Sequence, residues 1–290
     1  MRKVSIILLW WSRTPELEEL SKKCLKSVLA NTRYPEYEVI VIKNKCEEFN
    51  TDYLETFSHP KVKLAFNSEN LGFVVGNNQG IKLAGRNDVL LLNNDTEVPK
   101  GWLTPIMETL DRYPDAGMAM PVQFHTGSAE WKEFDESVPR IIEHAEKIIS
   151  KAEVLGHTYQ KLIGGNWLPL CATLIKREVI DKAGYLDEKF LLGGHEDVDY
   201  SWRTLDAGFQ LYVCGTSRVF HYYGKSFHFL GGYSEVWAET GKYLMEKHNA
   251  VQTVDNAVYR IKDKTKEWYL KSKDRIKPAE LAKFKELYGE

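Results

Sequence analysis

Three short stretches of this 290-residue chain carry side chains whose types and spacing suit chemistry. The first is Leu91-Leu92-Asn93-Asn94-Asp95-Thr96-Glu97, where an apolar run stops and amide and carboxylate oxygens follow at once. A hard divalent cation such as Mg2+ or Mn2+ takes oxygen ligands of this kind and keeps open positions for a diphosphate. Asp95 is the candidate ligand, with Asn93 two residues earlier on the same side of an extended chain; Asn-Asp-Thr also suits a plain turn or helix cap. The second stretch runs from Gly193-Gly194-His195-Glu196-Asp197 through Val198-Asp199 to Arg203. Its glycines permit close backbone approach, and its acids open a helix whose positive end favours ionised carboxylates. An ionised Asp in a cleft accepts a proton from a sugar or other hydroxyl, whereas an acidic helix start that merely caps is the alternative. The third is Val219-Phe220-His221-Tyr222-Tyr223-Gly224-Lys225-Ser226. The neutral imidazole of His221 suits the closing position of a metal's coordination, and equally a hydrogen-bonded structural role.

Short apolar runs at Val4–Leu9, Val39–Ile42, Val62–Phe66 and Val89–Leu92 read as strands buried on both faces. Between the first two, Thr14 as N-cap and Pro15 at the first helical position open a helix with Leu17, Leu20, Cys24, Leu25, Val28 and Leu29 on one side. Lys100–Arg112 forms another, burying Trp102, Leu103, Ile106, Met107 and Leu110. Strand and helix in alternation predict a doubly wound α/β sheet, whose ligands bind beyond the carboxyl ends of the strands. That rim gathers Trp10–Arg13, Lys43–Lys45, Asn67–Gly72 and Asn93–Glu97. Phe124–Leu162 breaks the rhythm as a polar insertion with three His, helical from Val138 to Leu155. Patterning then resumes with Leu170–Ile175, helices near Arg177 and Glu196, a strand at Leu211–Val213 and a helix over Gly232–His248. The last stretch, Arg260–Glu290, holds ten Lys+Arg against six Asp+Glu, in one or two surface helices.

Composition narrows the field. With 39 basic against 41 acidic side chains and a net charge of -2, the chain does not coat nucleic acid along its whole surface. Apolar residues at 43% supply a sizeable core, and 12% aromatic residues with eight Trp offer stacking surfaces. Cys24, Cys46, Cys171 and Cys214 form no CxxC pair, which argues for reduced thiols rather than a zinc knuckle or disulfide scaffold. Val4–Trp11 is far short of the roughly 20 apolar residues of a membrane span, and no cleavage site follows it; a cytoplasmic protein is expected.

Taken in order, Asn70-Leu71-Gly72 through Asn77-Asn78-Gln79-Gly80, Leu91–Val98, Gly184–Phe190, Glu196–Asp199 and His221 resemble the motif set of the family 2 glycosyltransferases. The nearest branch holds rhamnosyltransferases and other cell-surface glycan enzymes, and coverage runs from about Val4 to His248. The resemblance implies a GT-A (Rossmann-like) α/β fold: a mixed, mainly parallel sheet flanked by helices, with a helical C-terminal extension. It implies a nucleotide-sugar-binding half over 1–120, an acceptor-binding half over 121–250 containing the insertion at about 124–162, and a basic tail over 251–290. The activity implied is metal-dependent inverting transfer from a nucleotide-diphosphate sugar. Asp95 matches the Mn2+ or Mg2+ ligand, with Asn93 in the place of the first acid of Asp-x-Asp, Asn94 beside it and His221 as a second ligand. Asp197 matches the general base. Asn70, Gly72, Asn77 and Asn78 match the loop and helix start along the donor. Trp167, Leu170 and Cys171, with the acid Glu196, fall on the acceptor side.

Two departures bear on the donor. The run after the second strand reads Val41-Ile42-Lys43-Asn44, with a cation where the family has an acid. A lysine donates hydrogen bonds and cannot accept those of a base or ribose, so Lys43 contacts a phosphate, pairs with a nearby acid or is a solvated surface lysine. The first strand ends in Trp10-Trp11-Ser12-Arg13: either Trp stacks on a nucleobase or one is buried and one partly exposed, while Arg13 reaches a phosphate. The acceptor is expected to be a saccharide or lipid-linked saccharide. A modified nucleic-acid base is the variant, with Lys264, Lys266, Lys271, Lys273, Arg275 and Lys277 around Trp268 and Tyr269 resting on nucleic acid or an anionic membrane. A solvated tail, and a sugar-nucleotide or glycan-binding module without catalysis, complete the alternatives.

Overall fold

Alternation along the central strands builds the molecule. In β1 (Val4–Trp10), Val4, Ile6, Leu8 and Trp10 pack to one side with Val39 and Val41 of β2 (Tyr37–Lys43) and Leu90 and Leu92 of β4 (Asp88–Asn93). Ile7, with Ile40, Ile42, Val89 and Leu91, packs to the other. The first side is covered by α1 (Pro15–Asn31) through Cys24, Leu25 and Val28, and by α3 (Leu103–Arg112) through Leu103, Ile106, Met107 and Leu110. The second is covered by α2 (Gly72–Leu83), α4 (Arg177–Ala183) and α5 (Glu196–Asp206), through residues such as Val74, Ile81, Val179, Val198 and Trp202. A side-chain period of two with apolar residues on both faces is what a sheet sandwiched between helices requires.

The structure, a computed structural model, describes residues 1–125, 159–161, 167–190, 192–222, 233–252, 258–260, 262, 264, 266–276 and 278–288. The remaining strands of the main sheet are β3 (Val62–Phe66), β5 (Thr96–Glu97), β6 (Ala116–His125), β7 (Tyr159–Lys161), β8 (Ala172–Ile175) and β9 (Gln210–His221). Their order is β3-β2-β1-β4-β8-β6-β9-β5, with β7 also paired to β9. Pairing is parallel from β3 to β4, then antiparallel at β4–β8, β8–β6, β9–β5 and β7–β9, and parallel again at β6–β9. The sheet is therefore mixed, as expected, and its parallel character belongs to the N-terminal half. Helix α6 (Tyr233–His248) and a hairpin of β10 (Ala250–Gln252) and β11 (Val258–Arg260) follow, then α7 (Lys266–Ser272) and α8 (Pro278–Tyr288).

Two contacts set the distance between layers. A Cβ on Gly80 would meet Ile7 Cγ2 at 2.4 Å, and one on Gly76 would meet Leu9 Cδ1 at 2.4 Å, so α2 lies on β1 closer than any side chain would permit. The insertion expected over 124–162, with its helix from 138 to 155, falls outside the described residues apart from the end of β6 and β7. In the tail, Lys262 pairs with Asp206, Lys271 with Glu267, and Lys283 Nζ donates to Ala250 O at 3.2 Å, so these cations are taken up within the chain. Among the described residues no helix is long and apolar enough to cross a membrane.

Candidate active site

The carboxyl ends of β1, β2 and β4 and the end of β9 meet at one rim. After β4 the chain turns through Asn93–Thr96, a turn closed by Thr96 Oγ1 donating to Asn93 O at 2.8 Å. Asn94 anchors it, its amide donating to Ser21 Oγ at 2.7 Å and Trp11 O at 3.2 Å. The short β5 then pairs with β9, Thr96 opposite His221, and Tyr222 N donates to Asp95 O at 2.9 Å. This ladder carries an imidazole to a carboxylate 126 positions earlier: His221 Nε2 lies 3.1 Å from Asp95 Oδ1, with both side chains buried. Asn93 N donates to Cys171 O at 2.8 Å, which brings the start of β8 to the same place.

The pair has the character of a cation site. Asp95 Oδ1 is buried, with His221 Nε2 at 3.1 Å beside it. A carboxylate oxygen and an imidazole nitrogen are both good ligands for Mn2+. Burial opposes the charged form of His221, but the hydrogen bond to Asp95, reinforced by Cys171, outweighs it and pushes its pKa up to about 10. Among the described residues no three His, Cys, Asp or Glu side chains gather around one point.

The acid pair lies at the head of α5. Gly193 at φ 115°, Gly194 at φ 106° and His195 at φ 67° bring the chain into the helix through three consecutive left-handed residues. Only glycine adopts the first two freely, and a histidine in this region is uncommon. Glu196 accepts a hydrogen bond from Gly194 N, and Asp197 Oδ1 accepts from Val198 N at 2.8 Å. Burial raises Glu196 to about 6, and burial with the adjacent Glu196 holds Asp197 well above the ordinary carboxylate range. This corrects the expectation of two freely ionised acids at a positive helix end: desolvation and like charge outweigh the helix terminus. Asp199 differs. Fully buried, it receives Lys247 Nζ and His248 Nε2 at 2.7 Å each and Arg203 Nε at 2.9 Å, and stays below the usual range although burial opposes it.

Two links fasten this helix to the rim. Leu168 N donates to Ser201 Oγ at 3.0 Å, and a Cβ on Gly193 would touch Phe73 Cβ at 3.7 Å, beside the start of α2. Other expected site residues form the framework. Asn70 Oδ1 accepts from Gly72 N and Asn44 Nδ2, both at 3.0 Å, starting α2 with Gly72 at φ 76°. Asn44 also accepts from Asn67 Nδ2 at 2.8 Å, and Asn77 Nδ2 donates to Phe73 O at 2.9 Å. Asn78 binds both Leu186 N at 3.0 Å and Leu186 O at 2.9 Å, tying α2 to the segment before α5. Each of these asparagines thus makes at least one contact within the protein that shapes the loop and the start of α2.

Further corrections concern side chains that the core absorbs. Trp10 is 1% exposed, stacks on Tyr53 and donates to Glu18 Oε2 at 2.9 Å, so its face is closed to a nucleobase; Trp11 is the half-exposed member of the pair. Leu170 is likewise buried, while Cys171 donates to Gln123 Oε1 at 2.8 Å and Trp167 stands 44% exposed. Lys43 Nζ donates to Thr51 O at 2.7 Å and pairs with Glu55 at 2.9 Å, the acid-paired alternative. Arg13 pairs with Glu48 at 2.8 Å. Trp10, Ser12, Glu18, Lys43, Asn44 and Thr51 line a recess here with room for about one water. Sequence reading missed Glu18, though its place among the inward Leu17, Ser21 and Leu25 marks it as a buried acid on the α1 face nearest the rim. It also missed His195, for which nothing but the preceding glycine pair was a signal.

Residues 15–168 match the family model Glycosyl transferase family 2. The chain is 26% identical over 238 residues to the O-antigen biosynthesis protein RfbC of Myxococcus xanthus, covering 76% of this chain and 17% of that protein. It is 29% identical over 114 residues to the glucosyl-dolichyl phosphate glucuronosyltransferase of Haloferax volcanii, covering 39% of this chain and 36% of the relative. The chain thus spans 17% and 36% of the lengths of these two relatives. Among solved structures, GalNAc-T7 with UDP, GalNAc and Mn2+ superposes with a TM-score of 0.57 at 14% identity, over 77% of this chain and 44% of that one. Staphylococcus aureus TarS 1–349 gives 0.55 at 15%, over 78% and 62%.

Proposed function

The chain belongs to glycosyl transferase family 2, and from that premise we propose that it moves a sugar from a nucleotide-diphosphate donor to a saccharide hydroxyl with inversion, using a divalent cation. The observation that carries the reading is the buried carboxylate of Asp95 with His221 Nε2 3.1 Å away, at the end of the strand where α/β sheets bind ligands. Asp95 and His221 would hold Mn2+ or Mg2+, which supplies positive charge opposite the leaving diphosphate. A solved GT-A neighbour holding UDP and Mn2+ supports this choice of donor and metal. The rim at the carboxyl ends of β1 and β2, with the Asn44–Asn70–Gly72 loop beside it, is where the donor would lie.

Asp197 is the base in this reading. Its carboxylate takes the proton of the acceptor hydroxyl, the oxygen forms a bond to the anomeric carbon, and the bond to the diphosphate breaks on the opposite face with the electron pair leaving on phosphate oxygen. Burial and the neighbouring Glu196 raise Asp197 above the ordinary carboxylate range, which makes its carboxylate a stronger base than an exposed aspartate. The RfbC and glucuronosyltransferase relatives favour a saccharide acceptor in surface-glycan assembly over a nucleic-acid base.

Calorimetric titration of UDP, GDP and dTDP with and without Mn2+ tests the reading. One of the three is expected to bind in a Mn2+-dependent manner, and Asp95→Asn is expected to weaken that binding at least tenfold. Undiminished affinity in the variant would refute the assignment of Asp95.

A further inference from the structure

Among the described tryptophans, Trp10, Trp102 and Trp202 are 1%, 2% and 0% exposed, whereas Trp167 and Trp237 stand at 44% and 47%. Trp237 belongs to α6, beyond the part of the chain matched by the family model. Its ring lies against His195, centroids 4.3 Å apart at 47°. Thr240, one turn on, receives or gives a hydrogen bond at His195 Nδ1 over 3.1 Å; its hydroxyl also donates to Val236 O at 2.9 Å, which leaves the imidazole as the donor. Gly194 and Gly241 are bare on either side of this contact: a Cβ on Gly194 would sit 3.1 Å from Thr240 Oγ1, and one on Gly241 3.1 Å from His195 Cε1. Helix α6 is therefore pressed onto the backbone that delivers Glu196 and Asp197. Burial keeps this histidine uncharged by drawing its pKa down to about 4, so the clamp is a fixed neutral contact.

We propose that Trp237 is a platform on which a sugar ring of the acceptor stacks, held in register with the base by the His195–Thr240 clamp. The proposal rests on the glycosyltransferase reading above and deepens it on the acceptor side. Consecutive Cα atoms are about 3.8 Å apart, so His195 and Asp197 lie within about 7 Å of each other along the chain, roughly the reach of one sugar residue. An acceptor of two or more sugar residues with a hydroxyl at Asp197 is long enough to extend past His195 to Trp237. The C–H face of a pyranose packs on an aromatic face and its hydroxyls stay in water, which accounts for a large ring left half open beside a catalytic acid. His195 and Thr240 act as positioning residues.

Saturation-transfer NMR with methyl α-glycosides of mannose, galactose, glucose and rhamnose tests the platform without requiring turnover. At least one is expected to receive saturation, most strongly at ring C–H protons. Trp237→Ala is expected to cut that signal at least fivefold, Trp237→Phe to retain part of it, and Leu83→Ala, an exposed apolar residue elsewhere, to leave it unchanged. Thr240→Val is expected to weaken the signal less than Trp237→Ala while raising the KM for acceptor more than it lowers kcat. Wild-type saturation in Trp237→Ala, or none of the four glycosides bound by the wild type, overturns the platform. Mn2+-dependent nucleotide binding, measured on the same wild-type sample, shows whether the glycosyltransferase reading falls with it or stands alone.

Discussion

Asp197 and Asp199, two residues apart at the head of α5, are predicted to respond in opposite ways to the same substitution. Asp199 is fully buried and receives Lys247, His248 and Arg203 at 2.7, 2.7 and 2.9 Å. Replacing it with Asn keeps the shape and removes the charge on which three donors converge. Breaking a buried ion cluster from one side costs about 3–5 kcal/mol. The lower end applies here, since Lys247 keeps Asp187 at 2.6 Å and Arg203 keeps Ala183 O at 2.6 Å. About 3 kcal/mol in a chain of this size is a fall in Tm of roughly 6 °C. For Asp197 the folded state disfavours the charge, because burial and Glu196 raise its pKa. Asn there relieves repulsion, so Asp197→Asn should melt at or above the wild-type temperature while losing about 10²- to 10⁴-fold in transfer. Calorimetric melting at pH 7.5, with nucleotide release measured on the same samples, reads both. An Asp197→Asn that melts several degrees lower, or an Asp199→Asn that melts like wild type, would refute the division of labour.

Two further outcomes follow from the same geometry. Asn78→Ala strands the buried Leu186 N–H and removes two donated bonds, and should lower stability by about 2 kcal/mol in urea unfolding without changing the m-value; an unmoved midpoint would count against its framework role. The depressed pKa of His195 makes the folded state bind fewer protons than the unfolded chain between pH 6.5 and 4, so its contribution is present above pH 6.5 and lost as pH falls. Glu196 works in the opposite sense over part of that range, which calls for a difference measurement. Between pH 7 and 4.5 the wild type should lose about 2–3 kcal/mol relative to His195→Asn, a residue that tolerates the same left-handed backbone. Parallel pH curves would refute it.

The first half of the sheet was legible where period-two burial on both faces leaves an unbroken apolar run, as in Val4–Leu9, which lengthens by one residue to Trp10. Val62–Phe66 has the expected bounds but is the edge strand, with no residue fully buried, which corrects its reading as buried on both faces. The start of α1 was legible too, with Thr14 Oγ1 accepting from Leu17 N at 3.3 Å. Less of the second half could be read. Strand β6 hides a proline, tolerated because the ladder to β9 shifts register between Pro121 and Val122, and β9 extends far beyond Leu211–Val213 by alternating buried and half-exposed positions that no apolar run announces. Strand β5 is two residues long and exists because β9 is there to pair with it. Side-chain engagement was the least legible property. Asparagine, lysine and tryptophan at a ligand-binding rim read the same whether they face a ligand or one another, and Lys43 chooses Glu55 from a segment with no distinguishing pattern.

The acid pair also shows how the fold sustains an unfavourable local state. From Gly193 to Asp197 the chain takes three left-handed residues and then a buried and a half-buried carboxylate side by side, each destabilising by itself. Such a stretch persists only where the surroundings over-determine it. Here Asp199 supplies the restraint one half-turn further on, joined by Lys247 to Asp187 and by His248 to the end of α6, while Thr240 and Gly241 of that helix close on His195. The same helix therefore clamps the strained loop at one point and neutralises the buried aspartate at another. Loss of the ion cluster should consequently loosen the catalytic acids as well as the fold: Asp199→Asn is expected to lower transfer even at temperatures where it remains folded. Full activity of that variant well below its melting point would show that the loop holds its shape without α6.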